Sequence, residues 1–429
     1  MAASVNPADT ICALSSGRPP AAVAIVRTSG PGALAAAERL AGALPQPRRA
    51  SLRLIEDPHD GSPIDEVLIL RFDAPHSATG ENVVEYQCHG GRATVDALLN
   101  ALVALPGMRL AEPGEFTRRA LANGRIDLTE AEGLADLLAA ETELQRRSAL
   151  ARAGGGLRSR LDGWRERLLA LSARAEVAID YADEEEGAAA DPDLKGEIET
   201  LASQMGELLA APRVEPLRDG VRVVVAGPPN AGKSSLVNAL AQSEKAIVTH
   251  VAGTTRDVIE VPIAIDGVPF VLVDTAGLRD SDDIVESIGV DRARQEAERA
   301  DLLLWLGSSD EAPAHARRVD VAAKSDLVLG GLGLPVSSVT GEGLSALASE
   351  LVMQARLLLP KADELALDRR QFELLDEAGS ALTRANHLDD PVLIAEELRT
   401  ARVAVDRISG RAGVEELLDA LFGRFCLGK

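Results

Sequence analysis

Nine residues, Gly227-Pro-Pro-Asn-Ala-Gly-Lys-Ser-Ser235, carry the spacing G-x-x-x-x-G-K-[ST]. That is the spacing of a loop that wraps phosphates with its own backbone. Asn230, Ala231, Gly232, Lys233, Ser234 and Ser235 would turn successive N–H groups toward a phosphate chain at a helix N-terminus. Lys233 would reach the β- and γ-phosphates, and the Ser234 hydroxyl would ligate Mg²⁺. The run Asp274-Thr275-Ala276-Gly277 adds a carboxylate for the Mg²⁺ shell and a glycine N–H for a γ-phosphate. Between them lies Gly253-Thr254-Thr255-Arg256-Asp257. There Thr255 is expected to sense Mg²⁺ and the γ-phosphate in a loop that orders with the triphosphate. The set implies phosphate chemistry on a bound nucleotide.

Base recognition departs from the usual pattern. GTP-binding proteins commonly carry N-K-x-D, whose Asp accepts from the guanine ring while the Lys packs over it. Here the run is Ala323-Lys324-Ser325-Asp326, so Lys324 and Asp326 are kept and the bracing Asn is an alanine. Guanine specificity with weakened affinity is the expectation. Ser337-Ser338-Val339-Thr340-Gly341 stands where an S-A-K loop would complete the base pocket, with Ser338 as its contact. The position after Gly277 is Leu278, and a leucine cannot orient a hydrolytic water as a glutamine does. Another polar group must do so, and Arg279 to Glu286 offers several carboxylates, most of them suited simply to a solvated acidic loop.

These residues need strands and helices to hold them. Val221 to Ala226 reads as a buried parallel strand feeding the glycine loop, and Leu236 to Leu240 as the helix after it. Phe270 to Val273 is a second buried strand ending at Asp274, preceded by an alternating strand Ile259, Val261, Ile263, Ile265 and a tight turn at Asp266-Gly267. Residues 1–125 read as mixed α/β, with strands near 22–26, 67–70 and 83–86 and helices over 33–41 and 95–105. Thr129-Glu-Ala-Glu132 reads as a capping box opening an Ala/Leu/Glu/Arg-rich helical regime. Ala153 to Gly156 reads as a turn within it, 184–192 as a loop, and 212–220 as a linker. Helical spacing resumes after about residue 361. The expected architecture is multidomain α/β plus all-α. An N-terminal α/β domain (1–125) precedes a discontinuous helical domain (126–219 and 362–429), into which a Ras-like P-loop domain (220–361) is inserted.

Hydrophobic residues make up 46 % of the chain and aromatics 2 %, so its cores must be built from Leu, Val and Ala. No apolar run approaches a membrane span and the N-terminus lacks a leader pattern, so a soluble cytoplasmic protein is expected. Cys12, Cys88 and Cys426 fit neither a disulfide framework nor a metal site. The net charge of −22 is concentrated in residues 126–219, with 11 basic against 21 acidic residues. This argues against a general charge-driven RNA binder, while leaving room for a local patch or a partner that carries the RNA.

Three further sets of residues narrow the reading. They are Asp274-Thr-Ala-Gly-Leu-Arg279 followed by Val285-Glu286-Ser-Ile-Gly289; the amino-terminal Ala24-Ile-Val-Arg27, Thr79-Gly-Glu81, His89-Gly-Gly91 and Pro113-Gly-Glu-Phe-Thr-Arg118; and Phe425-Cys-Leu-Gly-Lys429. Together they make the whole chain resemble the MnmE (TrmE) family of tRNA modification GTPases, within the Era-like group. The resemblance implies that Glu286 is the catalytic glutamate, orienting water through an intermediate. It implies that Thr249, His250, Val251, Ala252, Gly253, Thr254 and Thr255 join the GTP site. A K⁺ ion would be held by Asn230, Thr249, Val251 and Thr254 once two G domains meet face to face. It further implies a reduced folate such as 5-formyl-tetrahydrofolate on the first domain, bound by Arg27, Glu85 and Arg125 and closed by Lys429. The implied partners are a second copy of the chain, tRNA, and a flavin-dependent protein of the MnmG type in a heterotetramer or larger complex. Cys426 is open between a reactive thiol and a residue packing the tail. Two alternatives stand beside this reading. One is an Era-like ribosome-assembly switch, which predicts a basic RNA-binding appendage after the G domain. The other is a folate-binding module whose G domain has decayed into a scaffold.

Overall fold

The computed structural model describes residues 9–180, 192–243, 246–248, 259–275, 295–327, 333–361 and 364–412, with 418, 421–423, 425 and 428 in the tail. Packing divides the chain into two compact units, Met1–Ala135 with Ser409–Lys429, and Asp136–Ile408.

The first unit is built on a six-stranded sheet. Its strands are β1 (Thr10–Leu14), β2 (Val23–Ser29), β3 (Ser51–Glu56), β4 (Pro63–Phe72), β5 (Val83–His89) and β6 (Met108–Leu110), in the order β3-β4-β5-β2-β1-β6. Only β1 and β6 run parallel among these neighbours. Alternation along the strands sends Cys12, Val26, Val67, Ile69, Val84, Tyr86 and Cys88 to one face. There they bury the apolar stripes of α1 (Ala33–Ala41) and α2 (Arg92–Val103). Burial pushes the Cys12 thiol up to about 12 and raises Cys88 as well, so both are inert packing residues at neutral pH.

α3 (Glu115–Ala122) brings a buried ionic network to the entry of β1. Arg119, 1 % exposed, donates to Glu115, to both oxygens of Glu81 and to the Asp9 carbonyl. Arg109 forks onto Glu115 at 2.8 and 2.6 Å. Burial, the largest influence, opposes the charge of Glu115; hydrogen bonds from Arg109, the Glu112 amide and Arg119 outweigh it and hold the carboxyl below its ordinary range. The tail packs into the same unit. Phe422 is fully buried with Phe425, Leu421, Leu128 and Ala131, and the Ser15 hydroxyl donates to the Gly428 carbonyl at 2.9 Å.

α4 (Leu128–Ala139) starts two residues earlier than the Thr129–Glu132 box implied. Asp127 is the cap: its Oδ1 accepts from the Glu130 amide, and Glu130 Oε2 accepts from the Asp127 amide. Thr129 instead donates its hydroxyl to Asp127 Oδ1. Both motifs fit the same sequence pattern, and Asp127 with Glu130 makes the reciprocal bonds at the true boundary.

In the second unit, α5 (Glu143–Ala153) opens with a capping box of Thr142 and Gln145. The glycine run then breaks the chain into α6 (Gly156–Asp180), followed by α7 (Pro192–Leu209). With α11 (Arg369–His387) and α12 (Pro391–Ser409), α6 and α7 close one core of Leu157, Leu161, Leu168, Ile198, Leu375, Leu398 and their neighbours. The 212–220 linker is not plain coil, because it contains the single turn α8 (Glu215–Arg218), with Pro216 as its second residue.

A seven-stranded sheet follows, in the order β13-β12-β11-β7-β10-β9-β8. Its strands are β7 (Val221–Ala226), β8 (Ala246–Val248), β9 (Ile259–Ile265), β10 (Val268–Asp274), β11 (Leu302–Trp305), β12 (Arg318–Ala323) and β13 (Leu334–Val336). β7, β10, β11, β12 and β13 are parallel, while β9 runs antiparallel to β8 and β10. The β9–β10 turn has φ of 48° at Asp266 and 77° at Gly267, the two left-handed positions a twisted two-residue hairpin requires. α9 (Lys233–Ala241) and α10 (Leu344–Arg356) cover one face, and residues around Ala297 cover the other. This is the doubly wound, Ras-like arrangement. Entry and exit of this layer are tied together: the Val214 amide donates to the Leu367 carbonyl at 3.1 Å, and Gln145 Nε2 donates to the Leu217 and Arg218 carbonyls.

Among the described residues, no helix is long and apolar enough to cross a membrane.

Candidate functional site

The glycine loop leaves β7 at Gly227, whose φ is 152°. A Cβ there would lie 2.8 Å from the Leu306 carbonyl oxygen, so the close passage of two backbones demands glycine. Asn230 (φ 59°) and Gly232 (φ 98°) turn the loop through the left-handed region and start α9. No side chain caps that helix, so the first-turn N–H groups face outward as an anion cradle. Lys233 is buried beneath the loop, and its Nζ donates to the Gly227 and Pro228 carbonyls at 3.0 Å each. Ser234 and Ser235 are exposed at the helix start.

Across from the loop, β10 ends at Asp274, 3 % exposed, and the Thr275 hydroxyl donates to the Val225 carbonyl at 2.9 Å. Parallel pairing of Asp274 with Val225 sets the carboxylate one residue short of the end of the loop's own strand. The Asp274 carboxylate and the Ser234 hydroxyl are oxygen donors that fit Mg²⁺, while the helix N-terminus and the Lys233 ammonium fit the phosphates it would bridge to. The carboxyl ends of adjacent parallel strands around a crossover are where ligands bind in such sheets.

The base-side residues meet the same edge. Lys324 stands at φ 59°, and its Nζ donates to the Asn230 carbonyl at 2.7 Å, clipping the recognition run onto the phosphate loop. Asp326 is exposed, and the Ser325 amide donates to the Val336 carbonyl at 3.2 Å. The loop after β13 is organised by Ser337, which is fully buried. Its Oγ accepts from the Val339 and Thr340 amides, and Ser338 is half-buried beside it. Ser337 was not singled out by sequence. Two adjacent serines look alike in the sequence; the one directly after β13 is the one that is buried. Thr249, His250, Val251, Ala252, Gly253, Thr254, Thr255, Ala276, Gly277, Leu278 and Glu286 lie outside the described residues.

In the first unit, Arg27 on β2 and Glu85 on β5 are direct cross-strand partners, joined at 2.9 and 2.7 Å from Nε and Nη2 to Oε1. Glu85 Oε2 carries no bond from Arg27, and both side chains keep about a fifth of their surface exposed (22 % and 18 %). A partly accessible carboxylate beside a guanidinium suits a pterin, whose amino and ring N–H groups donate. Arg125 is held elsewhere along the chain's fold, donating from Nε to the Ser77 carbonyl at 3.1 Å, and no bond joins it to the Arg27–Glu85 pair. Lys429 and Cys426 lie outside the described residues. Their neighbour Gly428 is pinned at the end of β1, whose Ala13 is the register partner of Arg27. Sequence reasoning missed Arg119. It follows directly on Arg118, whose guanidinium stacks 5.3 Å from the Phe422 ring, and nothing in two adjacent arginines tells which is buried.

Comparison with known proteins places this geometry in a family. The family description "GTP-binding protein TrmE N-terminus" matches residues 10–125, and "MnmE helical domain" matches residues 128–426. A tRNA modification GTPase MnmE of Erythrobacter litoralis (strain HTCC2594) is 53 % identical over 426 residues, covering 98 % of this chain and 100 % of its own. The proteins of the same name from Novosphingobium aromaticivorans and Rhizorhabdus wittichii are 51 % and 52 % identical, each over 98 % of this chain and 100 % and 97 % of their own. A match of this extent, on a sheet edge that carries an uncapped phosphate loop, means that the chain belongs to the MnmE (TrmE) family of tRNA modification GTPases.

Proposed function

We propose that this chain hydrolyses GTP in a cycle coupled to face-to-face dimerisation of its G domains. With a flavin-dependent partner of the MnmG type, it would help install a carboxymethylaminomethyl group at C5 of the wobble uridine of certain tRNAs. The observation that carries the reading is Lys233. Its ammonium rests on two carbonyls of its own loop, poised to exchange them for phosphate oxygens, with Asp274 and Lys324 on the same edge. Lys233 and the first-turn amides bind the β- and γ-phosphates, while Lys324 and Asp326 hold the guanine. Ser234 and Thr255 would hold Mg²⁺, with Asp274 behind them. Asn230, Thr249, Val251 and Thr254 would hold K⁺. The two ions supply positive charge against the charge that builds on the phosphates in the transition state. Glu286 orients the attacking water through an intermediate, the role that Leu278 cannot fill.

The first domain would bind 5-formyl-tetrahydrofolate or a related reduced folate through Arg27, Glu85, Arg125 and Lys429. Dimerisation through this domain draws support from Val23, Leu52 and Leu54, which are 55, 54 and 50 % exposed. Strand parity and register place them on the sheet face that carries Arg27 and Glu85. A second copy would cover that face. The domain divisions proposed are 1–125, 126–219 with 362–429, and 220–361, in a cytoplasmic protein.

The test is GTP turnover in KCl against NaCl at equal ionic strength, repeated with Asn230→Ala and Glu286→Ala. Stimulation by K⁺ that vanishes in Asn230→Ala, with Glu286→Ala binding GTP but turning it over slowly, is the expected result. Equal slow turnover in both salts would remove the ion-completed site.

A further inference from the structure

We infer that Arg222 is a positioning residue for GTP hydrolysis, a fork that fixes the exits of both nucleotide-sensing segments to the strand that carries the phosphate loop. Arg222 is the second residue of β7, which runs directly into Gly227. Its Nη1 donates to Glu260 Oε1 at 2.7 Å and its Nη2 to Glu296 Oε2 at 2.5 Å. Glu260 is the second residue of β9, which follows residues 249–258 in the chain. Glu296 lies in the helical stretch 295–298, which follows residues 276–294 in the chain. The backbone reinforces the junction: the Arg222 amide donates to Asp301 Oδ2 at 2.8 Å, and the Asp301 amide donates to the Arg222 carbonyl at 2.9 Å. The inference rests on reading 249–258 and 276–294 as the segments that carry Thr255 and Glu286.

The chemistry of the fork explains the choice of residue. A planar guanidinium presents two donor edges at a fixed angle and can hold two carboxylates at once, whereas an ammonium is a single point charge on a flexible stem. Glu296 is 13 % exposed and Glu260 50 %, so one arm is sheltered from water and the other is open to it. Five residue steps, about 16 Å at the usual strand rise, separate Arg222 from Gly227. It therefore touches no nucleotide and acts only through geometry. Thr255 and Glu286 would have to reach the same γ-phosphate from two different segments. A common anchor at their exits keeps the two arrivals in register.

The full-length protein tests this by separating binding from chemistry. Arg222→Lys should slow single-turnover GTP hydrolysis about tenfold while leaving the affinity for a fluorescent GDP analogue within about twofold. Glu260→Gln and Glu296→Gln should each slow it less, and Arg222→Lys with Glu260→Gln should be no slower than Arg222→Lys alone. Hydrolysis at the parental rate, a parallel loss of affinity, or additive effects would overturn the inference. Should Arg222→Lys not fold, Glu260→Gln decides alone: slower hydrolysis at unchanged affinity supports the fork, and parental hydrolysis overturns it. Thr255→Ala and Glu286→Ala are the controls. If both hydrolyse at the parental rate, the reading of the segments has failed; if both are slow and Arg222→Lys is not, only the fork has.

Discussion

At the scale of single residues, the base-recognition run shows how one substitution is absorbed. Ala323 pairs with Val336 at the end of β12 and cannot brace the loops around it as an asparagine amide does. Part of that work passes to Lys324, which reaches the Asn230 carbonyl, and to the Ser325 amide on Val336. These contacts hold the run in place but add no donor toward the phosphate-loop backbone from position 323. Restoring the amide with Ala323→Asn should add one or two hydrogen bonds, each worth about 1 kcal/mol, and tighten guanine nucleotide binding about five- to tenfold. Titration with a fluorescent GDP analogue measures it; unchanged affinity would mean that Lys324 already does the bracing.

At the scale of elements, α3 and its ionic network define how the first unit responds to acid. Glu115 has a lowered carboxyl pKa in the fold, so its contribution is present above the unfolded value of about 4.3 and is lost as pH falls through the folded one. Glu115→Gln should cost about 3–5 kcal/mol near neutrality, because it leaves Arg109 and Arg119 without their shared charge. Its stability should also decline less steeply than the parent's below pH 4.3 or so. Unfolding of both proteins across pH 3–7 checks the slope, and parallel profiles would assign the acid sensitivity elsewhere. Elements like β7, β9, β10 and the Asp266-Gly267 turn were legible in the sequence because each carries a local signal: a continuous apolar run, an alternation, or two left-handed positions. Strands β1, β3 and β6 were not, since they are short or hold exposed leucines such as Leu52 and Leu54 that blur the alternation. The α4 boundary failed for the opposite reason, as Asp127 and Thr129 both offer a valid cap. The phosphate loop was plain from spacing alone, whereas Arg119 and Arg222 depend on partners such as Glu81 and Asp301, 38 and 79 residues away, and the burial of Ser337 depends on where β13 ends.

For the whole molecule, the tail joins distant parts of the chain into one unit. Gly114 has a φ of 71°, and a Cβ there would lie 2.6 Å from the Phe422 carbonyl oxygen; at Gly428 a Cβ would meet the Leu14 carbonyl oxygen at 2.1 Å. Both glycines are there because backbone passes against backbone. Phe422→Ala should cost the first unit about 3–5 kcal/mol. Amide exchange would show it as lost protection in β1 and α3 with β7 unchanged, and undiminished protection in β1 would show that the tail is dispensable. The Ser15–Gly428 bond spans 413 positions. At about 5–20 residues per second, a ribosome needs roughly 20–80 s to make the chain between its two ends. The opening sheet therefore emerges with the slot for Phe422 and Gly428 unfilled, and must wait through synthesis of the entire GTP-binding layer before it can close. A product cut short near its end would carry a competent nucleotide fold on an incomplete first unit, exposing the apolar surface by which a chaperone or protease tells unfinished chains from finished ones.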